Sequence, residues 1–260
     1  MPLGCLGARP RSAPRPVDHF VLTRERYLDA VRVEGGRVAA LAGEADLSRP
    51  VPSCPDWDLA GLITHLGQVQ RYVTAWMDAG EPVGRDSVGE PAGDLAAWFT
   101  AGLDQLGERL QECDPDAKVA TFAGQGSNWF WLRRMAHEAT MHRWDGEAAV
   151  SVPGAIDVDM AADGIDEMLT GFHLPHRIGR HLVGDGETIH FHVTDAEGEW
   201  VVTRTPEGAQ VERAHRRSDV AASGRAEDLL LFVWGRRDAS SLEVFGDDAL
   251  LVAWQATLRP

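Results

Sequence analysis

Up to about residue 172 the apolar side chains of this chain recur three and four residues apart, and beyond residue 185 they alternate with polar ones. The first spacing belongs to helices with one buried face, the second to strands. A chain that changes period in this way folds as a helical unit followed by a unit built on a sheet. Residues 18–42 carry Tyr27, Leu28, Val31, Val38 and Leu41 at helical spacing, with Gly35 and Gly36 weakening the middle. A second helix is predicted from Leu59 to Ala79, with Asp58 as N-cap and Leu62, Leu66, Val69, Val73 and Trp76 on its apolar stripe. Residues 80–94 hold two prolines and four glycines and read as a loop. Further helices are predicted from Leu95 to Cys113, from Asn128 to Glu147, and near Val158 to Phe172. The segments TIHFHVT, EWVVTRT, AQVERA, SDVAASG and SLEVFG read as strands, and AEDLLLFVWGR and DDALLVAWQATL as helices. The expected fold class is mixed: an N-terminal antiparallel four-helix bundle over residues 18–155, then a helix and a smaller α+β unit over 156–260. Residues 1–17 are expected to form a disordered tail.

The chain has 260 residues, 44% of them apolar, which is enough for a substantial core. Its formal charge of −15 argues against nucleic acid or an anionic membrane as partner. Cys5, Cys54 and Cys113 form no CxxC pair, as expected of a reduced protein. No apolar run approaches the roughly 20 residues that span a bilayer. The opening MPLGCLGARPRSAPRP lacks the apolar segment of a secretory signal. A cytoplasmic monomer or small homo-oligomer is the expectation.

Chemistry concentrates in AHEATMHRWD, residues 136–145. The zinc-protease helix motif is HExxH; here the spacing is HExxxH. Residues five apart on a helix are rotated by about 140°, so His137 and His142 cannot easily grip one ion. Glu138 and His142, four apart, share a face. A third ligand must come from another element, and His65, on the apolar stripe of the second helix, points into the bundle. Three protein ligands and an open position are the arrangement of catalytic zinc. The candidate metal set is therefore His65, Glu138 and His142. Asp145 lies on the same face, where it either orients a ligand from behind or pairs with Arg143 or Arg134. His137 points elsewhere and is given a structural or rim role.

The stretches VPSCPDWDLAGLITHLGQV, RRMAHEATMHRWDGEAA, SGRAEDLLLFVWGRRD and LEVFGDDALLVAW resemble the mycothiol-dependent maleylpyruvate isomerase family of actinobacteria. The resemblance implies a DinB-like metal-binding bundle and a C-terminal unit similar to a sterol-carrier fold. The family's histidine in the second helix and its Glu-x-x-x-His pair in the fourth carry over to His65, Glu138 and His142. Its C-terminal arginine, at the end of a short helix, carries over to Arg236, with Arg237 as the adjacent alternative. A plain helix-capping role is the competing reading for Arg236. Zinc or another divalent metal and mycothiol, a low-molecular-weight thiol, are the implied cofactor and cosubstrate.

The implied activity is a zinc-dependent isomerase of a maleylpyruvate-like unsaturated acid, or a thiol transferase acting on a small electrophile. Two other readings stay open: a non-catalytic, metal-stabilised binding or regulatory module, and a metal-dependent hydrolase needing a base near the ion. Cys54, just before the second helix, is either a reactive thiol of lowered pKa or a packed one. His190 and His192 share a strand face and are expected to face solvent. His173, His176 and His181 fall in a linker, where lining the cleft between the two units stays an open reading, and Trp57 and Trp144, which flank the ligand helices, are candidates for the site mouth.

Overall fold

The computed structural model describes residues 22–84, 86 and 88–258, so the expected tail, 1–17, lies outside it. Four long helices come first: α1 (Arg24–Glu44), α2 (Leu59–Ala79), α3 (Leu95–Glu112) and α4 (Asn128–Val150). Thr23, Asp58 and Asp94 cap the first three by accepting from the N–H groups of Arg26, Gly61 and Ala97 at 3.2, 2.8 and 2.8 Å. These bonds satisfy donors that a first helical turn leaves free. α1 packs on α4 and α3, and α2 on α3 and α4. Gly35 sits where α1 meets α3; a Cβ there would collide with Leu103. The glycine that weakens α1 as a helix is thus what lets α3 approach.

α3 leads into a hairpin of β1 (Lys118–Thr121) and β2 (Gly124–Ser127) that the sequence pattern does not predict. GQGS has no apolar alternation, so no strand period announces it. α5 (Val158–Asp166) gives way at Glu167 to π-helical turns, Glu167–Gly171 and Leu174–Ile178. The regular helix expected to reach Phe172 therefore stops early. Gly171 and Pro175 both disfavour α geometry in this stretch.

The second half holds a five-stranded sheet: β3 (Thr188–Val193), β4 (Glu199–Thr205), β5 (Gly208–Glu212), β6 (Val220–Gly224) and β7 (Glu243–Gly246). Its order is β5-β4-β3-β6-β7, antiparallel except for the β3–β6 pair. Ile189, Phe191 and Val193 are buried on one face of β3, and Phe191 meets Phe232 of α6 (Ala226–Val233) and Trp254 of α7 (Ala249–Leu258). The fold is thus mixed helix and sheet. Among the described residues no helix is long and apolar enough to cross a membrane.

Two buried carboxylates on α5 tie the helices to the sheet. Asp163 accepts from Tyr27 Oη at 2.9 Å and pairs with Arg133 at 2.8 Å and His137 Nε2 at 2.7 Å. Asp166 takes Arg133, Trp200 Nε1 of β4 and the Arg213 guanidinium at 2.9, 2.9 and 2.7 Å. Buried charges are costly unless paired in this way. The clamps fix α5 against α4, and α6 packs on α5. The end of α6 that reaches the site is held by the same arrangement.

Candidate metal centre

His65, Glu138 and His142 come together as one group, with one ligand atom from each lying within 4.8 Å of the others. Glu138 Oε1 stands 3.5 Å from His65 Nε2 and 3.3 Å from His142 Nε2. Those separations are long for hydrogen bonds but match the edge of a tetrahedron with zinc-to-ligand bonds of about 2.0 Å, roughly 3.3 Å. The α4 register does the positioning: Arg134, Glu138 and His142 follow one another every four residues. Arg134 Nη2 donates to Glu138 Oε2 at 2.8 Å, while its Nη1 donates to Glu167 at 2.7 Å. Burial opposes the charge on Glu138, but His142, His65 and Arg134 outweigh it and hold the carboxyl well below the usual range. Burial likewise disfavours charge on His142, yet the Glu138 and Asp145 carboxylates win and push it up to about 9.

Behind His142 stands Asp145, fully buried, with Oδ2 at 3.0 Å from His142 Nδ1. Its partners are not Arg143 or Arg134. Arg143 is taken by Glu34 and Glu147, and Arg134 by Glu167 and Glu138. The arginine on Asp145 is Arg236, which donates through Nε at 3.1 Å and Nη2 at 2.9 Å. Ser53 Oγ adds a third donor at 2.5 Å. Burial resists ionisation of Asp145, but Arg236 and His142 hold it far below the usual carboxylate range.

Arg236 reaches α4 because of how α6 ends. Gly235 takes φ 71°, its N–H bonds to Phe232 O at 2.9 Å, and the Arg236 N–H bonds back to Leu231 O at 2.7 Å. This is a Schellman ending, which needs the left-handed residue that glycine supplies. Arg236 Nη1 also donates to Trp234 O at 2.9 Å, so the helix-capping role exists beside the contact with Asp145. Arg237 instead pairs with Asp228 at 2.7 Å. On the other side, the turn VPSCPDW folds back through Val51 N to Trp57 O at 3.0 Å. It brings Ser53 to Asp145 and lays Trp57 against His65, ring centroids 4.7 Å apart. Trp144 is buried and meets Arg237.

The group opens into a cavity of about 840 Å3. Its walls include Trp76 of α2, Phe122 of the hairpin, Phe172 and His173 of the π-helical stretch, and Trp234 beside Arg236. His173, placed by the sequence in a linker with a cleft-lining role left open, is part of the cavity wall. It packs on Trp234 at 4.4 Å between centroids, and its Nε2 is buried without a hydrogen-bond partner. Burial, then the Arg134 charge, pushes it down to about 3, so its ring is neutral. No period in HLPHRIG marks the side that faces inward, so the sequence cannot single out His173 among the linker histidines.

His137, given a structural or rim role, is 2% exposed and bound to Asp163, so it is structural and not at a rim. Burial and then Asp145 push the Cys54 thiol up, which removes the lowered-pKa reading. His190, expected to face solvent, is buried.

Residues 28–146 match the family described as the mycothiol maleylpyruvate isomerase N-terminal domain, and residues 159–253 the corresponding MDMPI C-terminal domain. The chain superposes on the crystal structure of the mycothiol-dependent maleylpyruvate isomerase with a TM-score of 0.60 at 14% identity, covering 86% of this chain and 93% of that one. A histidine-to-alanine mutant of the mycothiol-dependent maleylpyruvate isomerase gives a TM-score of 0.61 at 14% identity, with 86% and 93% covered. At that identity the likeness establishes a shared fold. No curated protein matches the chain.

Proposed function

The chain belongs to the mycothiol-dependent maleylpyruvate isomerase family, and on that premise we propose that it is a zinc-dependent enzyme using the thiol of mycothiol. It either isomerises a maleylpyruvate-like acid from cis to trans or transfers the thiol to a small electrophile. One observation carries the reading: a His65–Glu138–His142 group and the Arg236 guanidinium border the same cavity. In this reading residues 18–155 are a DinB-like four-helix bundle and 156–260 a smaller, sterol-carrier-like α+β unit. The protein acts in the cytoplasm, as a monomer or small homo-oligomer, without nucleic acid or membrane.

The donor set fits zinc. Two imidazoles and one carboxylate are ligands that zinc accepts, with spacing near the tetrahedral edge. His142 Nδ1 faces Asp145, a contact that would fix the tautomer leaving Nε2 free to hold the ion. Zinc held there would supply the positive charge that brings a thiol, of pKa near 8.5 when free, into its ionised form.

The chain's own residues do the rest. Arg134 orients Glu138, Asp145 orients His142, and Trp57 holds His65. Arg236 has five N–H donors, and its bonds to Asp145 and Trp234 engage three, leaving two for a substrate carboxylate. The aromatic walls would shield the reacting carbons from water. In the isomerisation the thiolate sulfur bonds to one alkene carbon and the electron pair moves into the adjacent carbonyl. The former double bond then rotates, the pair returns, and the C–S bond breaks to give the trans alkene.

A hydrolase would need a free base beside the ion. Asp145 is committed to three donors and His137 to Asp163, so neither is free. A binding module would keep the metal but turn nothing over. The test is an assay of zinc-loaded protein with mycothiol, using maleylpyruvate and, separately, epoxide or halide electrophiles. Thiol-dependent turnover that disappears in His65→Ala is expected. Absence of turnover with every acceptor would overturn the enzyme reading.

A further inference from the structure

On the outer face of the sheet, three histidines close around one carboxylate. β3 contributes His190 and His192, two residues apart and so on one face. Glu199 of β4 is the direct cross-strand partner of His192. His215 arrives from the connection between β5 and β6. His190 Nε2 and His215 Nδ1 lie 3.1 and 2.5 Å from Glu199 Oε2, and His192 Nδ1 lies 3.0 Å from Oε1. One ligand atom from each of the four residues falls within 4.8 Å of the other three.

We propose that His190, His192, Glu199 and His215 form a second metal site, for zinc or another imidazole-preferring divalent transition ion, separate from the cavity. Three imidazole nitrogens and one carboxylate oxygen complete a tetrahedral shell with protein atoms alone, which is the pattern of structural zinc and not of an open catalytic ion. The four ligand atoms already lie within 4.8 Å of one another, against edges of roughly 3.3 Å in a tetrahedral zinc shell, so binding an ion would draw the side chains closer together.

A purely hydrogen-bonded cluster accounts less well for the geometry. His192 Nδ1 is buried and makes no aligned hydrogen bond although Glu199 Oε1 is near. A cation at the centre would accept a lone pair from each imidazole, His192 Nδ1 included. His215 is 79% exposed at its side chain, so an ion reaches the group from solvent without opening the core. The ion would pin the β5–β6 connection, whose Arg213 already grips Asp166.

The site is tested by zinc content after stripping with chelator, reloading with zinc alone and dialysis. Wild type is expected to hold two ions per chain, His192→Ala one, His65→Ala one, and the double variant none. Glu199→Gln, nearly isosteric, covers the case in which His192→Ala does not fold, and is also expected to lose one ion. The proposal is overturned if both His192→Ala and Glu199→Gln bind as much zinc as wild type. Because His65→Ala is measured separately, failure of the cavity site shows as an unchanged count in that variant and leaves the sheet site readable.

Discussion

Arg236, at the end of α6, grips Asp145 of α4 through Nε at 3.1 Å and Nη2 at 2.9 Å, across 91 residues of sequence. Asp145 in turn faces His142 Nδ1, so the two halves of the chain meet through one carboxylate behind the candidate ligands. Asp145→Asn keeps the shape but removes the charge that orients the imidazole. Zinc affinity of the cavity site is expected to fall about 10–100-fold. Competition with a chromophoric chelator measures it, in a His192→Ala background that leaves only this site. Unchanged affinity would remove Asp145 from the metal's support.

Arg236→Lys keeps a positive charge but loses the planar fork. Lysine cannot make the paired contact to Asp145 and still offer two donors to a carboxylate. The expected result is a loss of about 100-fold in kcat/KM for the unsaturated acid, with zinc content preserved. Equal kinetics in the two proteins would show that no substrate carboxylate binds at Arg236.

Cys54 is not expected to be the working thiol. Burial and Asp145 raise its pKa, so little is ionised at neutral pH. Alkylation of metal-free protein at pH 7 should be slower at Cys54 than for free cysteine, and Cys54→Ala should retain most of its mycothiol-dependent turnover. Rapid labelling of Cys54 with parallel loss of activity would contradict this.

His173 makes stability depend on pH. Its folded pKa is pushed down to about 3 by burial and Arg134, against about 6.5 in an unfolded chain. Between those values the unfolded chain binds the extra proton, so stability rises with pH and falls as pH drops below about 6.5. From pH 7 to 5 this one group costs about 2 kcal/mol. Melting of wild type and His173→Gln at both pH values should show a smaller decline in the variant. Parallel declines would mean that His173 is not held neutral.

Local signals are legible in the chain and long-range meetings are not. Asp58 and the stripe from Leu62 to Trp76 mark α2 from its cap to Ala79, and the structure gives the same bounds. The four-residue spacing puts Glu138 and His142 on one face, and their atoms stand 3.3 Å apart. The choice of arginine for Asp145 depends on how α6 docks on α4, and Arg143 and Arg134 are nearer only in sequence. The β1–β2 hairpin escapes because GQGS carries no period. His190 reads as solvent-facing because strand alternation cannot tell an outer face from one covered by neighbouring side chains; Glu199 and His215 cover it here.

The most direct test of the metal and thiol reading is thermal melting with zinc, mycothiol, both and neither, for wild type and His65→Ala. A ligand at 100 times its Kd stabilises by about 2.7 kcal/mol, on the order of 5 °C or more for a chain of this size. Mycothiol is expected to raise the Tm of wild type only when zinc is present, and to leave zinc-treated His65→Ala unmoved. A mycothiol shift of the same size without zinc or without His65, or no shift in zinc-loaded wild type, would contradict the account.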